Sequence, residues 1–311
     1  MNTLPLGNTG VEVSQLCLGT MFFGTSTDRE SSFRLLDQYL ESGGGFLDTA
    51  NIYARWVPGF EGGESESLLG RWMRERRNRS RLFVATKVGF EMPGVDRGLR
   101  SDQIQKECEK SLGRLGLETI DLYYAHVDDP NTPLDETLEA FSRLVTAGKV
   151  RYLGASNYRS WRLEEARCTS LAKTLPEFCC IQQRHSYLVP IPAADFGAQL
   201  SSTTELLEYC RVRGISLLAY SPLLGGAYTR ADRPMPPQYL GSYNQKRLEA
   251  LREVARDKLA TPNQVVLAWM LRSDPVALPL VAASDPRQLA ENLGALSVDL
   301  APEDMERLEA I

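Results

Sequence analysis

The chain has 311 residues, 43% hydrophobic, 8% aromatic and 24% charged, with 35 Lys+Arg against 40 Asp+Glu and a formal net charge of -5. That size suits one large α/β domain or two modest ones. A mildly acidic chain with no long basic run does not fit a nucleic-acid or anionic-membrane partner, and the short cluster Arg74, Arg76, Arg77 and Arg79 reads as a solvated helix end.

The N-terminus carries no basic segment followed by an apolar one, so no secretion signal is expected. The stretch TLPLGNTGVEVS (3–14) predicts a hairpin turning at Gly7–Gly10. The chain then alternates short apolar runs with helical patterns. QLCLGT (15–20) precedes a helix near 29–42, FLDTA (46–50) one near 64–76, LFVATKVG (82–89) one near 102–114, and DLYYAH (121–126) one near 134–147. VRYLGAS (150–156) precedes a helix near 159–172, CCIQQ (179–183) one near 201–213, ISLLAYS (215–221) one near 244–258, and PLVAAS (279–284) one near 286–296. A further helix is predicted over 262–272, and 223–244 reads as a long loop containing Gly and Pro.

Nearly continuous apolar strands imply a parallel sheet covered on both faces. About eight such units with no composition break between them predict a (β/α)8 TIM barrel of the α/β class, one domain over 1–311, with the hairpin as a floor plug and accessory C-terminal helices. An open dinucleotide-binding sheet would want G-x-G-x-x-G after its first strand, which LGTMFFG does not supply.

The six cysteines (17, 108, 168, 179, 180 and 210) form no C-x-x-C pair and are expected to be reduced thiols in a cytoplasmic protein. With only two histidines, His126 and His185, no metal site is expected. No apolar stretch approaches the length of a membrane span.

In a barrel the C-terminal strand ends share one mouth. There the polar residues are Thr20, Asp48, Lys87, His126, Ser156 with Asn157, Gln182, Tyr220 with Ser221, and Ser284, with Tyr53 in the loop after Asp48. Singly, Asp48 is readable as a helix cap, Lys87 as its structural partner and His126 as a core histidine. Together they suit a carbonyl reduction. An ammonium favours a nearby phenolate, a carboxylate holds the ammonium, and a histidine can donate to a carbonyl oxygen. The hydride must come from a nicotinamide.

At this point the sequence resembles the aldo-keto reductases over essentially its whole length. The resemblance rests on GNTGVEVSQLCLGTM (7–21), FLDTANIY (46–53), GESESLLGRWM (63–73), ATKVG (85–89), DLYYAHVDDPNTPLDETLEAF (121–141), GKVRYLGASN (148–157), AYSPL (219–223) and QLAENLGAL (288–296). It implies NAD(P)-dependent interconversion of a carbonyl and an alcohol by a tetrad of Asp48, Tyr53, Lys87 and His126. Tyr53 would be the acid/base, Lys87 with Asp48 would lower its pKa, and His126 would orient the substrate oxygen.

The resemblance also implies nucleotide contacts. Ser156, Asn157 and Gln182 would hold the carboxamide, Tyr220 would stack on the ring, and Ser221, Leu223 and Gly225 would wrap the pyrophosphate. Gly19, Thr20 and Met21 would lie beneath the nicotinamide, and Ser284, Gln288, Glu291 and Asn292 at the adenosine end. The stretch AASDPRQ (282–288) departs from the pattern of NADP-preferring members, and Asp285 would repel a 2′-phosphate, so a weakened NADP preference with NAD use is expected. Phe22, Phe23, Trp56, Val127, Asp128 and Tyr187 are expected to line the mouth, and His185 to face substrate or pack. A sugar-like carbonyl or alcohol is the expected small-molecule partner, with generic aldehydes and ketones close behind. A nucleotide-sensing regulatory subunit of the same fold is the alternative.

Overall fold

The computed structural model describes residues 1–310. An antiparallel hairpin, β1 (Thr3–Pro5) and β2 (Glu12–Ser14), leads into the barrel strand β3 (Cys17–Gly19). Seven further units follow. They are α1 (Arg29–Glu41), β4 (Phe46–Asp48), α2 (Glu64–Arg76), β5 (Phe83–Val88), α3 (Ser101–Leu115), β6 (Ile120–Ala125), α4 (Leu134–Thr146), β7 (Val150–Ser156), α5 (Ser160–Lys173), β8 (Phe178–Arg184), α6 (Thr204–Arg213), β9 (Ser216–Tyr220), α7 (Ser242–Asp257), α8 (Pro262–Arg272), β10 (Ala277–Val281), α9 (Pro286–Gly294) and α10 (Pro302–Glu309). The eight parallel strands close in the order β10-β3-β4-β5-β6-β7-β8-β9, so the expected (β/α)8 barrel is the fold.

Two apolar layers hold it. Inside the barrel, Cys17, Phe46, Ala85, Leu122, Tyr124, Cys180, Leu218 and Leu278 pack with Leu6 and Val13 from the hairpin, which thereby plugs the floor. Between strands and helices lies a larger layer that includes Leu36, Trp72, Ile104, Phe141 and Val266. The hairpin approaches closely at Gly7, where φ is 51° and a Cβ would lie 2.2 Å from the Cys179 carbonyl oxygen. Only glycine fits there.

Local chemistry sets the element ends. Thr261 and Gln264 form a capping box with Pro262 at the first turn, which starts α8 where its sequence predicts. The last barrel strand, predicted over 279–284, runs instead over Ala277–Val281. Residues beyond it turn towards α9, because the Ser284 N–H and hydroxyl both donate to the Gln288 side chain and Asp285 caps the helix. The first barrel strand is likewise shorter than 15–20, since a turn closes from Phe23 N–H to the Thr20 carbonyl. The long loop after β9 is anchored to the one after β8, with Ile191 N–H donating to Gln238 O (2.8 Å) and Asn244 Nδ2 to Val189 O (2.7 Å).

Candidate active site

Asp48 ends β4, Lys87 lies on β5 and His126 follows β6, so three adjacent strands bring them together. Asp48 and Lys87 are both fully buried and form an ion pair. Lys87 Nζ also donates to Thr49 O (2.8 Å) and Tyr53 Oη (2.8 Å), so all three ammonium donors are matched. Tyr53 Oη donates to Asp48 Oδ1 (3.3 Å), and Gln182 Nε2 reaches across from β8 to Asp48 Oδ2 (2.8 Å). A buried ion pair survives desolvation only when its remaining donors and acceptors are satisfied, as they are here.

The imidazole of His126 meets the Tyr53 ring edge-on at a centroid distance of 6.3 Å and Phe90 at 4.7 Å. Burial, and then the Lys87 charge, hold His126 well below its ordinary pKa, so the ring is neutral. Burial lowers Lys87, against the opposing pull of Asp48. Burial, and then the Asp48 charge and hydrogen bond, push the Tyr53 phenol well above its ordinary value. The net shift of the phenol is thus upward, with burial and the Asp48 carboxylate opposing the lowering expected from Lys87.

The other mouth residues fall into two groups. Ser156, Asn157 and Gln182 are buried at the ends of β7 and β8. Asn157, in the left-handed region at φ 56°, is a hub: its Nδ2 donates to His126 O (3.0 Å), and its Oδ1 accepts from Tyr220 Oη (2.7 Å) and Leu200 N–H (3.1 Å). Gly19 pairs with Asp48, the buried Thr20 hydroxyl bonds to Asp48 O (2.9 Å), and Met21 packs against the cluster of Ala50, Ile52 and Tyr53. After β9, Ser221, Leu224, Gly225 and Gly226 all have positive φ, and the chain coils through Leu223 beside the mouth.

The second group lies on α9 and just before it, and its side chains are engaged with one another, with the backbone and with the start of α8. Ser284 holds Gln288, Glu291 accepts from Thr261 (2.7 Å) and Asn263 (3.2 Å), and Asn292 donates to Ala282 O (3.0 Å). Asp285 accepts from the N–H groups of Arg287 (2.8 Å) and Gln288 (3.1 Å).

Phe22 and Trp56 are exposed, at 39% and 49%, and Trp56 meets the Tyr53 ring edge-on at 6.2 Å. Phe23 is buried. Asp128 is ion-paired with Arg162 (3.1 Å). Tyr187 does not reach the mouth. It is 1% exposed, and its hydroxyl donates to the carbonyls of Leu308 (2.9 Å) and Arg247 (3.3 Å). His185 stacks on Trp269 at 5.8 Å, which makes it a packing residue. The C-terminal helices cover this side of the barrel, an arrangement without local sequence signal. Sequence reasoning also missed Phe90, although it stands three residues after Lys87.

Among the described residues no group of three or more His, Cys, Asp or Glu could hold a metal ion, and no helix is long and apolar enough to cross a membrane.

A closed parallel barrel with a buried lysine, aspartate, tyrosine and histidine at its mouth is the arrangement that the aldo-keto reductase resemblance implied. A family profile described as "Aldo/keto reductase family" matches residues 15–311, and the chain belongs to that family. Three relatives align along nearly all of it. An uncharacterized oxidoreductase, YrpG, of Bacillus subtilis is 32% identical over 98% of this chain and 94% of its own. A norsolorinic acid reductase, stcV, of Emericella nidulans is 32% identical, covering 96% and 78%. An aryl-alcohol dehydrogenase of Pestalotiopsis microspora is 29% identical, covering 96% and 79%. The crystal structure of a thermostable aldo-keto reductase, Tm1743, in complex with the inhibitor epalrestat superposes with a TM-score of 0.79 at 30% identity, covering 100% of this chain and 99% of that one. Members of the family generally use NAD(P)H and act on small-molecule carbonyls.

Proposed function

We propose that this protein reduces aromatic aldehydes or ketones to alcohols, with Tyr53 as the proton donor and NAD as the preferred nucleotide. The observation that carries the reading is the Lys87–Tyr53 hydrogen bond of 2.8 Å inside a buried ion-paired cluster.

The mouth suits a nicotinamide dinucleotide. The side chains of Ser156, Asn157 and Gln182 are buried there, Asn157 is bonded to Tyr220 (2.7 Å), and the chain after β9 is bent into a cradle by positive φ at Gly225 (70°) and Gly226 (93°). Ser156, Asn157, Gln182 and Tyr220 would hold the nicotinamide end, Ser221, Leu223 and Gly225 the pyrophosphate, and Gln288, Glu291 and Asn292 the adenosine. When bound, the cofactor supplies a hydride to the carbonyl carbon.

The protein's part is the proton. The raised pKa keeps Tyr53 protonated at neutral pH, so its hydroxyl has a proton to give. As its proton moves to the carbonyl oxygen, the ammonium of Lys87, 2.8 Å away, compensates the growing phenolate charge. Asp48 fixes that ammonium. Neutral His126 donates an N–H to the same oxygen and sets its orientation.

Asp285 supports NAD. Its carboxylate already occupies the first N–H groups of α9, and a 2′-phosphate at the adenosine end would meet that negative charge. The exposed rings of Phe22 and Trp56 support an aromatic substrate over a sugar, as does the likeness to an aryl-alcohol dehydrogenase. Asp128, on which a sugar reading leans, is already paired with Arg162.

The test compares wild type and Tyr53→Phe with NADH and NADPH on benzaldehyde and on xylose. Expected are faster turnover of benzaldehyde, tighter NADH binding, and a loss of about 10²–10⁴-fold in kcat for Tyr53→Phe with unchanged NADH affinity. Full activity of Tyr53→Phe would remove the tyrosine from the mechanism.

A further inference from the structure

The loop that carries Tyr53 leaves β4 after Asp48 and is irregular until α2, and Ala54 within it is held in the left-handed region at φ 87°. A non-glycine residue stays in that region only where its surroundings hold it there. Most ties on this loop are backbone bonds of ordinary kind, such as Gly63 N–H to Tyr53 O (3.2 Å). Side chains add further ties, from the Thr49 hydroxyl to Ser65 (3.0 Å) and from Arg55 to Glu91 (3.0 Å), and one reaches α3. Asn51, two residues before Tyr53 and 1% exposed, donates from Nδ2 to Glu107 Oε2 (3.0 Å) on α3.

Glu107 is itself 1% exposed, and the proton-transfer scheme above makes no use of it. Its other oxygen accepts from Lys110 (2.7 Å), whose side chain is 53% exposed. The carboxylate thus bridges the protein surface and the interior of the Tyr53 loop. Asn51 Oδ1 is buried with no partner among the described residues, so the bond to Glu107 is the only one its side chain makes. Removing Glu107 would leave a buried amide wholly unpaired, and the loop would move to relieve it.

We propose that Glu107, acting through Asn51, is the positioning residue for Tyr53, and that it sets the phenol at its distance from Lys87. The proposal deepens the reading of Tyr53 as proton donor and rests on it. Neither residue touches substrate, cofactor or the reacting atoms.

The experiment measures benzaldehyde turnover, NADH affinity by fluorescence titration and melting temperature for Glu107→Ala, Glu107→Gln, Asn51→Ala and the Asn51→Ala/Glu107→Ala double variant. A displacement of the order of 1 Å at a reacting group costs about 100-fold, so Glu107→Ala and Asn51→Ala should each lose about 10–100-fold in kcat, with NADH affinity within about 2-fold. Glu107→Gln keeps an acceptor for Asn51 and should stay within about 3-fold of wild type. The double variant should be no worse than either single one, because one interaction is removed in each. If Glu107→Ala does not fold, Asn51→Ala against Glu107→Gln carries the test.

Wild-type kcat in Asn51→Ala with only a lower melting temperature would overturn the proposal, as would Glu107→Gln falling as far as Glu107→Ala. Active Tyr53→Phe would sink the proton-donor reading and this proposal with it. Inactive Tyr53→Phe beside fully active Asn51→Ala and Glu107→Ala would leave that reading standing and sink this proposal alone.

Discussion

The two sides of the barrel mouth are built differently. On the side of β4, β5 and β6, the aspartate, lysine and tyrosine are buried and bonded to one another. On the side of β9, β10 and α9, the chain is bent by positive φ, and its polar side chains are paired among themselves, Ser284 with Gln288 and Asp285 with its own helix. On the proposed reading the first side is fixed for chemistry, while the second would exchange internal bonds for bonds to a nucleotide. Changes on the first side should therefore alter rate or stability, and changes on the second should alter affinity.

The largest effect should come from Lys87→Met. It strands a carboxylate, Asp48, that is fully buried, and breaking a buried pair costs about 3–5 kcal/mol. Chemical denaturation should show that loss together with loss of turnover. A stable variant would mean that water reaches Asp48 and that the tetrad side is not prebuilt.

A smaller effect separates catalytic from packing histidines. Burial, and then the Arg247 charge, lower the His185 pKa to about 4. The unfolded chain takes up this proton near pH 6.5, so the contribution is fully present above that value and is lost as pH falls towards 4. His185→Phe keeps a ring against Trp269 and should reduce the loss of stability between pH 7 and 4, by on the order of 2 kcal/mol, with kcat unchanged. A fall in kcat would return His185 to the substrate site.

The smallest effect, on the affinity side, is Asp285→Ser. It removes the charge while keeping a helix cap, and should raise NADPH affinity about 10-fold relative to NADH with kcat unaltered. An unchanged ratio would show that Asp285 plays no part in nucleotide choice.

The same division explains what the sequence made legible. Strand ends are local and periodic, so VRYLGAS predicts β7 (Val150–Ser156), and Asp48, Lys87 and His126 could be assigned to one mouth from strand order alone. Long-range packing leaves no such trace. Tyr187 looked like a mouth residue, but its hydroxyl is taken by the carbonyl of Leu308, 121 residues away. The Asn51–Glu107 bond spans 56 residues and matches no motif. The direction of the Tyr53 shift depends on how dry the assembled site is, which no residue spacing encodes.

The central claim is that Tyr53 sits protonated in a prebuilt tetrad, and the pH dependence of the two reaction directions tests it most directly. Burial and Asp48 hold the phenol well above its ordinary pKa of about 10, and His126 stays neutral. Aldehyde reduction should then be nearly flat between about pH 6 and 9, and alcohol oxidation, which needs the phenolate, should climb through that whole range. A reduction rate that falls away with an apparent pKa near 7, with oxidation already at its plateau there, would contradict the account.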